Sequence, residues 1–108
     1  MTKIKIFLDD LRNCPDGYFL TTNVSDCINL LKKFEVSHLS LDYDLESHDF
    51  KGIKVVEYMI KNRLQADFIT VHSANSVGGK KMYMMLLKAQ DEGVLAHSTV
   101  IKLRPLPL

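Results

Sequence analysis

Three short apolar runs in this chain each stop abruptly at polar groups. Lys3–Leu8 ends at Asp9-Asp10, Val36–Leu41 at Asp42-Tyr43-Asp44, and Phe68–Val71 at His72-Ser73-Ala74-Asn75. Buried parallel strands read this way: they are nearly continuous in apolar residues and turn polar only where they leave the sheet. In open α/β sheets, ligands bind in the crevice outside the carboxyl ends of the strands, so the three polar ends are expected to converge on one place.

The segments between these runs fit the same plan. Leu11–Gly17 holds Asn13, Pro15, Asp16 and Gly17, all turn formers, and reads as a loop where a crossover helix would be expected. Tyr18–Thr22 is a short strand. Asn23 or Ser25 can cap a helix with Val24, Cys27, Ile28, Leu31 and Phe34 at helical spacing and Lys32 and Lys33 near its end. Leu45–Lys51 is a polar loop, and from Gly52 the positions of Ile53, Val55, Val56, Met59 and Ile60 predict a second amphipathic helix. Gly78-Gly79 stands just before a third helix carrying Met82, Met85, Leu86 and Ala89, with Gly93 closing it. Thr99–Leu103 is the last strand, and Pro105 and Pro107 prevent a helix before the C-terminus. Strands alternating with helices at short connections predict parallel βαβ units with helices on both faces of the sheet.

At 108 residues the chain is expected to form one domain, residues 1–108, because two cores would leave each half too small. Lys plus Arg number 14 against 13 Asp plus Glu, and a net charge of +1 argues against dedicated duplex-DNA binding. No apolar run is long enough to span a bilayer, and the N-terminal stretch meets two carboxylates too early for a signal peptide, so a cytoplasmic location is expected. In that reducing setting Cys14 and Cys27, which lack metal-ligand spacing, are expected to stay unpaired.

The chemistry lies in the three polar strand ends. Crowded carboxylates raise one another's pKa unless a cation compensates, and Mg²⁺ favours one or two carboxylates with waters and phosphate oxygens. The candidate metal ligands are Asp9, Asp10, Asp42 and Asp44; alternation places Asp44 on the side of Asp42 and Tyr43 on the other. His72 is the candidate acid–base group because imidazole titrates near neutrality. Ser73 and Asn75 can cap the helix that follows, a role compatible with holding a phosphate at its N-terminus. Arg12 can clamp a phosphate or form an ion pair with the neighbouring acids. Gly78-Gly79-Lys80-Lys81 does not match P-loop spacing, and Lys80 and Lys81 read as a solvated helix face. His38, His48 and His97 lack partners at ligand spacing, and Met82, Met84 and Met85 read as core packing.

Asp9-Asp10, Asp42 and Ser73-Ala74 at successive strand ends resemble response-regulator receiver domains. The chain is more similar still to the receiver-like group named for cyclic-phosphate processing, through Leu8-Asp9-Asp10-Leu11-Arg12, Pro15-Asp16-Gly17, Leu41-Asp42-Tyr43-Asp44-Leu45 and His72-Ser73-Ala74-Asn75-Ser76-Val77-Gly78. That resemblance implies an α/β receiver-like, flavodoxin-like three-layer sandwich on a mainly parallel five-stranded sheet, here lacking the first and last receiver helices. It also implies a Mg²⁺- or Mn²⁺-dependent phosphoesterase acting on a cyclic phosphate, such as a cyclic nucleotide or an RNA end. His72, Asp42 and Ser73 would then be catalytic, and Arg12, Asn75 and Gly78 would bind substrate. The alternatives are a nucleotide- or phosphate-binding module without turnover, and a phosphoacceptor receiver with Asp42 as acceptor. Two departures stand out: Ser76 replaces a common proline, and the lysine expected at the end of the last strand is represented only by the displaced Lys102 and Arg104-Pro105.

Overall fold

The computed structural model describes residues 2–45 and 50–106. Its elements run β1 (Ile4–Leu8), β2 (Phe19–Thr21), α1 (Val24–Lys33), β3 (Val36–Leu41), α2 (Ile53–Asn62), β4 (Ala66–Ser73), α3 (Ser76–Asp91) and β5 (Val100–Pro105). The strands form one five-stranded sheet in the order β2-β1-β3-β4-β5, parallel at every pairing. This is the receiver-like α/β sheet expected from the sequence. Its register brings the polar ends together: Leu8 pairs with both Thr21 and Leu41, and Leu41 pairs with Val71. Asp9, Asp42 and His72 therefore leave three neighbouring strands at one level.

Local signals set most element ends. Asn23 caps α1, its side chain accepting from the Asp26 amide at 2.8 Å, and Lys32 and Lys33 occupy the last turn. Phe34 lies just outside the helix and is exposed. β4 starts two residues earlier than its apolar run suggested, and β5 reaches Pro105, which an edge strand tolerates. Gly78 and Gly79 lie inside α3 rather than before it, because Asn75 caps the helix at Ser76. Of the methionine cluster only Met82 is fully buried, and Met84 is exposed. Cys14 and Cys27 are free thiols. His48 lies outside the described residues.

The alternation of each strand sends Ile6 and Leu8, Leu39 and Leu41, and Ile69 and Val71 to one face. There they form a single core with Val24, Cys27 and Leu31 of α1, Val55, Val56 and Met59 of α2, and Met82, Leu86 and Ala89 of α3. The expected third layer does not form among the described residues: α1 packs on α2 and α2 on α3, all on this face. The strand order explains the correction. β2 to β3, β3 to β4 and β4 to β5 all step in the same direction across the sheet, and right-handed crossovers in one direction put every helix on one side. Only the oppositely directed step, β1 to β2, would place a helix on the other face, and there the chain runs as the loop containing Pro15, Asp16 and Gly17, with Gly17 at φ 84°.

Candidate functional site

Asp9 is the hub of the strand ends. Its amide donates to the Thr21 carbonyl at 3.0 Å, which fixes the residue just past β1. One carboxylate oxygen accepts from the amides of Leu11 (2.9 Å) and Arg12 (3.0 Å), so the chain turns around it. The other accepts from Arg12 Nη1 at 3.2 Å and from His72 Nε2 at 3.0 Å. Burial pushes the Asp9 carboxyl up, but the two amides, the guanidinium and the imidazole outweigh it and hold the group below its ordinary value.

Asp42 is equally buried and less well compensated. Its amide donates to the Leu8 carbonyl at 3.0 Å, and its carboxylate receives Arg12 Nη1 at 3.2 Å. Burial first, and then the neighbouring Asp9 charge, push it up to about 6, against the pull of Arg12 and the amides of Tyr43 and Asp44. Asp10 completes the group: one oxygen from each of Asp9, Asp10 and Asp42 lies within 4.8 Å of the others. Three hard oxygen donors this close together fit Mg²⁺ or Mn²⁺. Asp44 is not brought into this group. Its carboxylate is half exposed and lies 3.6 Å from Lys51 Nζ, because the chain has left the regular strand at Asp42 and alternation no longer applies.

His72 is only 3% exposed, and both ring nitrogens are engaged: Nε2 with Asp9, and Nδ1 with Ser40 Oγ at 2.6 Å. The ring also stacks on Phe7, with centroids 4.6 Å apart and planes 1° from parallel. Burial lowers its pKa; Asp9 opposes that shift, whereas Arg12 and Arg104 reinforce it. A carboxylate can only accept, so Nε2 donates to Asp9; when the ring is neutral, Nδ1 accepts from the Ser40 hydroxyl. The geometry therefore gives His72 a grip on Asp9 rather than a nitrogen facing open space.

Ser73 and Asn75 shape the next turn. Ser73 Oγ accepts from the Asn75 amide at 3.1 Å, and Asn75 Oδ1 accepts from the Gly78 amide at 2.8 Å. Gly78 has no room for a side chain, since a Cβ would overlap the Tyr43 ring, and one on Gly79 would press on Ser73. Gly78 thus lets α3 close on the loop that follows Asp42. Gly52 does the same from the other side: its amide donates to the Tyr43 carbonyl at 2.9 Å, and a Cβ there would collide with the Asp42 carbonyl.

Sequence reasoning missed Ser40, Phe7, Tyr43 and Gly52. Ser40 carried a signal, since it is a polar residue inside an otherwise apolar strand and two positions before Asp42; the others show only through packing. Lys102 pairs in register with Thr70, three residues below the ends of β4 and β5, and Arg104 takes the level of His72. A groove of about 460 Å³ between α1 and α2, lined by Ile28, Phe50 and Tyr58 among others, contains none of these residues. No helix among the described residues is long and apolar enough to cross a membrane.

A parallel sheet with an acidic trio at its carboxyl edge defines a receiver-like domain. Comparison makes the class specific: the family model for the cyclic-phosphate processing receiver domain matches residues 4–88, and the chain belongs to that family. The match takes in the whole acidic trio, His72, Ser73 and Asn75 and ends within α3, before β5. No curated protein and no solved structure matches the chain.

Proposed function

We propose that this protein binds Mg²⁺ or Mn²⁺ through Asp9, Asp10 and Asp42 and hydrolyses a cyclic phosphate, carried by a nucleotide or an RNA end, to a phosphomonoester. The observation that carries the reading is the trio itself, with two buried carboxylates and one guanidinium shared between them. A bound cation would neutralise carboxylate and phosphate charge and make a coordinated water more acidic.

The chain's own residues then have distinct tasks. Asp9 and Asp42 present oxygens held in place by backbone amides and by Arg12. Arg12, a third exposed, is placed to turn from the acids to a phosphate once a cation offsets them. His72 and Ser40 fix the orientation of Asp9, as outer partners do for metal ligands. Ser73, Asn75 and Gly78 shape the N-terminus of α3, the helix that follows His72, and would there receive a phosphate oxygen. In the reaction one water adds to phosphorus and the bond to one ribose oxygen breaks. That oxygen leaves as a hydroxyl carrying a proton from the water.

Phosphorus NMR of 2′,3′-cyclic nucleotides incubated with the protein tests this directly. Monoester should form with Mn²⁺ or Mg²⁺, not with chelator, and not with Asp42→Asn. Tight cation-dependent binding with no monoester would replace the hydrolase with a binding module. His72→Ala and Ser40→Ala should each weaken cation affinity by roughly 10- to 100-fold, the usual scale for an outer partner. Unchanged affinity with lost turnover would instead make His72 a proton carrier.

A further inference from the structure

The face of the sheet without helices is not an apolar wound. Register places Leu20, Lys5, Phe7, His38, Ser40, Phe68, Thr70 and His72 on it, together with Val100, Lys102 and Arg104 of β5; Leu20 and Val100 are its exposed aliphatic side chains. Among the described residues no outward strand position there is acidic, and three, Lys5, Lys102 and Arg104, are cationic. Lys102 and Arg104 are exposed, and Lys5 lies over the Tyr18 ring at 5.6 Å. Between the cations runs a row of rings. Tyr18 meets His38 edge-on at 6.3 Å, and His38 stacks on Phe68 at 4.7 Å with planes 12° apart. Phe68 remains 41% exposed. At the top of the same face stand the Phe7–His72 stack and Asp9.

From these features we infer that the open face is a docking platform for single-stranded nucleic acid, RNA in the first instance, whose phosphate end reaches Arg12 and the acidic trio. The inference rests on the reading of that site as a phosphate site and names the class of substrate it takes. Rings that stack on bases, flanked by cations that follow a phosphate backbone, are the common solution for binding unpaired strands. Phe68 and His72 are four residues apart on β4, about 13 Å, so a base on Phe68 is within a short reach of the site. Charge selects this occupant over others. A second copy laid face to face would oppose the same cations, and an apolar helix would have to bury Lys102 and Arg104 without partners.

Fluorescence anisotropy with a labelled single-stranded oligoribonucleotide of about ten nucleotides tests the platform. The oligonucleotide is presented with either a 3′-hydroxyl or a 2′,3′-cyclic phosphate. Wild type should bind both, with log affinity falling against log salt at a slope of about −2 for three cations, and should bind a duplex of the same sequence more weakly. Phe68→Ala should weaken binding by about tenfold at unchanged salt slope. Lys102→Ala should weaken it and reduce the slope by about 0.7. Both positions are exposed and outside the site, so the variants should melt within several degrees of wild type and keep its turnover of a cyclic mononucleotide.

Absence of RNA binding at low salt, alongside intact turnover of the mononucleotide, overturns the platform and leaves the site reading standing. Binding that both substitutions weaken, with the two ends bound alike and neither cleaved, overturns the site reading and keeps the platform. Binding indifferent to both substitutions overturns the platform. So does a concentration-dependent dimer that Phe68→Ala or Lys102→Ala dissociates, because the face is then a protein interface.

Discussion

The two faces of the sheet are made by the same strands, one residue out of step, and they differ in kind. The covered face is aliphatic and closed: Ile6, Leu8, Leu39, Leu41, Ile69 and Val71 meet three helices and are almost wholly removed from water. The open face carries rings, hydroxyls and cations, and its upper end supplies His72 and Ser40 to the acidic site. Stability is concentrated on the first face and chemistry on the second. Losing the helix of the β1–β2 step therefore costs the fold one cover without removing its core.

The comparison breaks first on the core. Leu39→Ala should lower unfolding free energy by about 2 to 5 kcal/mol in denaturant melts, whereas Phe68→Ala should change it by less than about 1 kcal/mol. Similar losses from both would mean that the open face carries as much of the fold as the covered one.

The next effect belongs to the site. A cation at 100 times its dissociation constant should stabilise the native state by about 2.7 kcal/mol, seen as a rise in Tm with Mg²⁺ or Mn²⁺. Asp42→Asn should abolish the rise. Asp9→Asn is a poorer probe, because it also disturbs Arg12 and His72.

Gly78→Ala tests how tightly the covered side grips the site. The added methyl meets the Tyr43 ring and should cost about 1 to 3 kcal/mol, with weaker cation binding if the loop after Asp42 moves. A neutral outcome would show that Tyr43 yields freely.

A pH effect of the same order or smaller sharpens the contrast further. Asp42 moves from 3.8 to about 6 in the fold, so between these values the native state holds the extra proton. Without cation, stability from this group should fall as pH rises from about 4 to about 6, by at most about 3 kcal/mol. Asp9 and His72 are both lowered and act in the opposite sense. The quantity to measure is therefore wild type minus Asp42→Asn across that range, and saturating Mg²⁺ should flatten it.

Much of this was legible in the chain. Period-two and period-3.6 patterns located the strands and helices, since burial of one face is imposed locally by the backbone geometry. Apolar runs ending in acids pointed to Asp9, Asp10 and Asp42, which the register then brought to one edge. Asp44 lies apart from the trio because alternation holds only while the chain remains a strand, and β3 ends at Leu41. The layer count was misread for a topological reason: which face a helix covers depends on strand order, and strand order is a pairing between distant segments.

The sequence by itself therefore determined most of the aliphatic core, roughly where the strands would run, and which oxygens could gather at their ends, because each follows from local periodicity and side-chain chemistry. Only the tertiary structure decided that all three helices share one face, that His72 turns both nitrogens inward to Ser40 and Asp9, and that Gly52 and Gly78 clear the space around Asp42 and Tyr43. Those outcomes depend on strand order, register and close packing between residues far apart in the chain, and no local pattern encodes a distance.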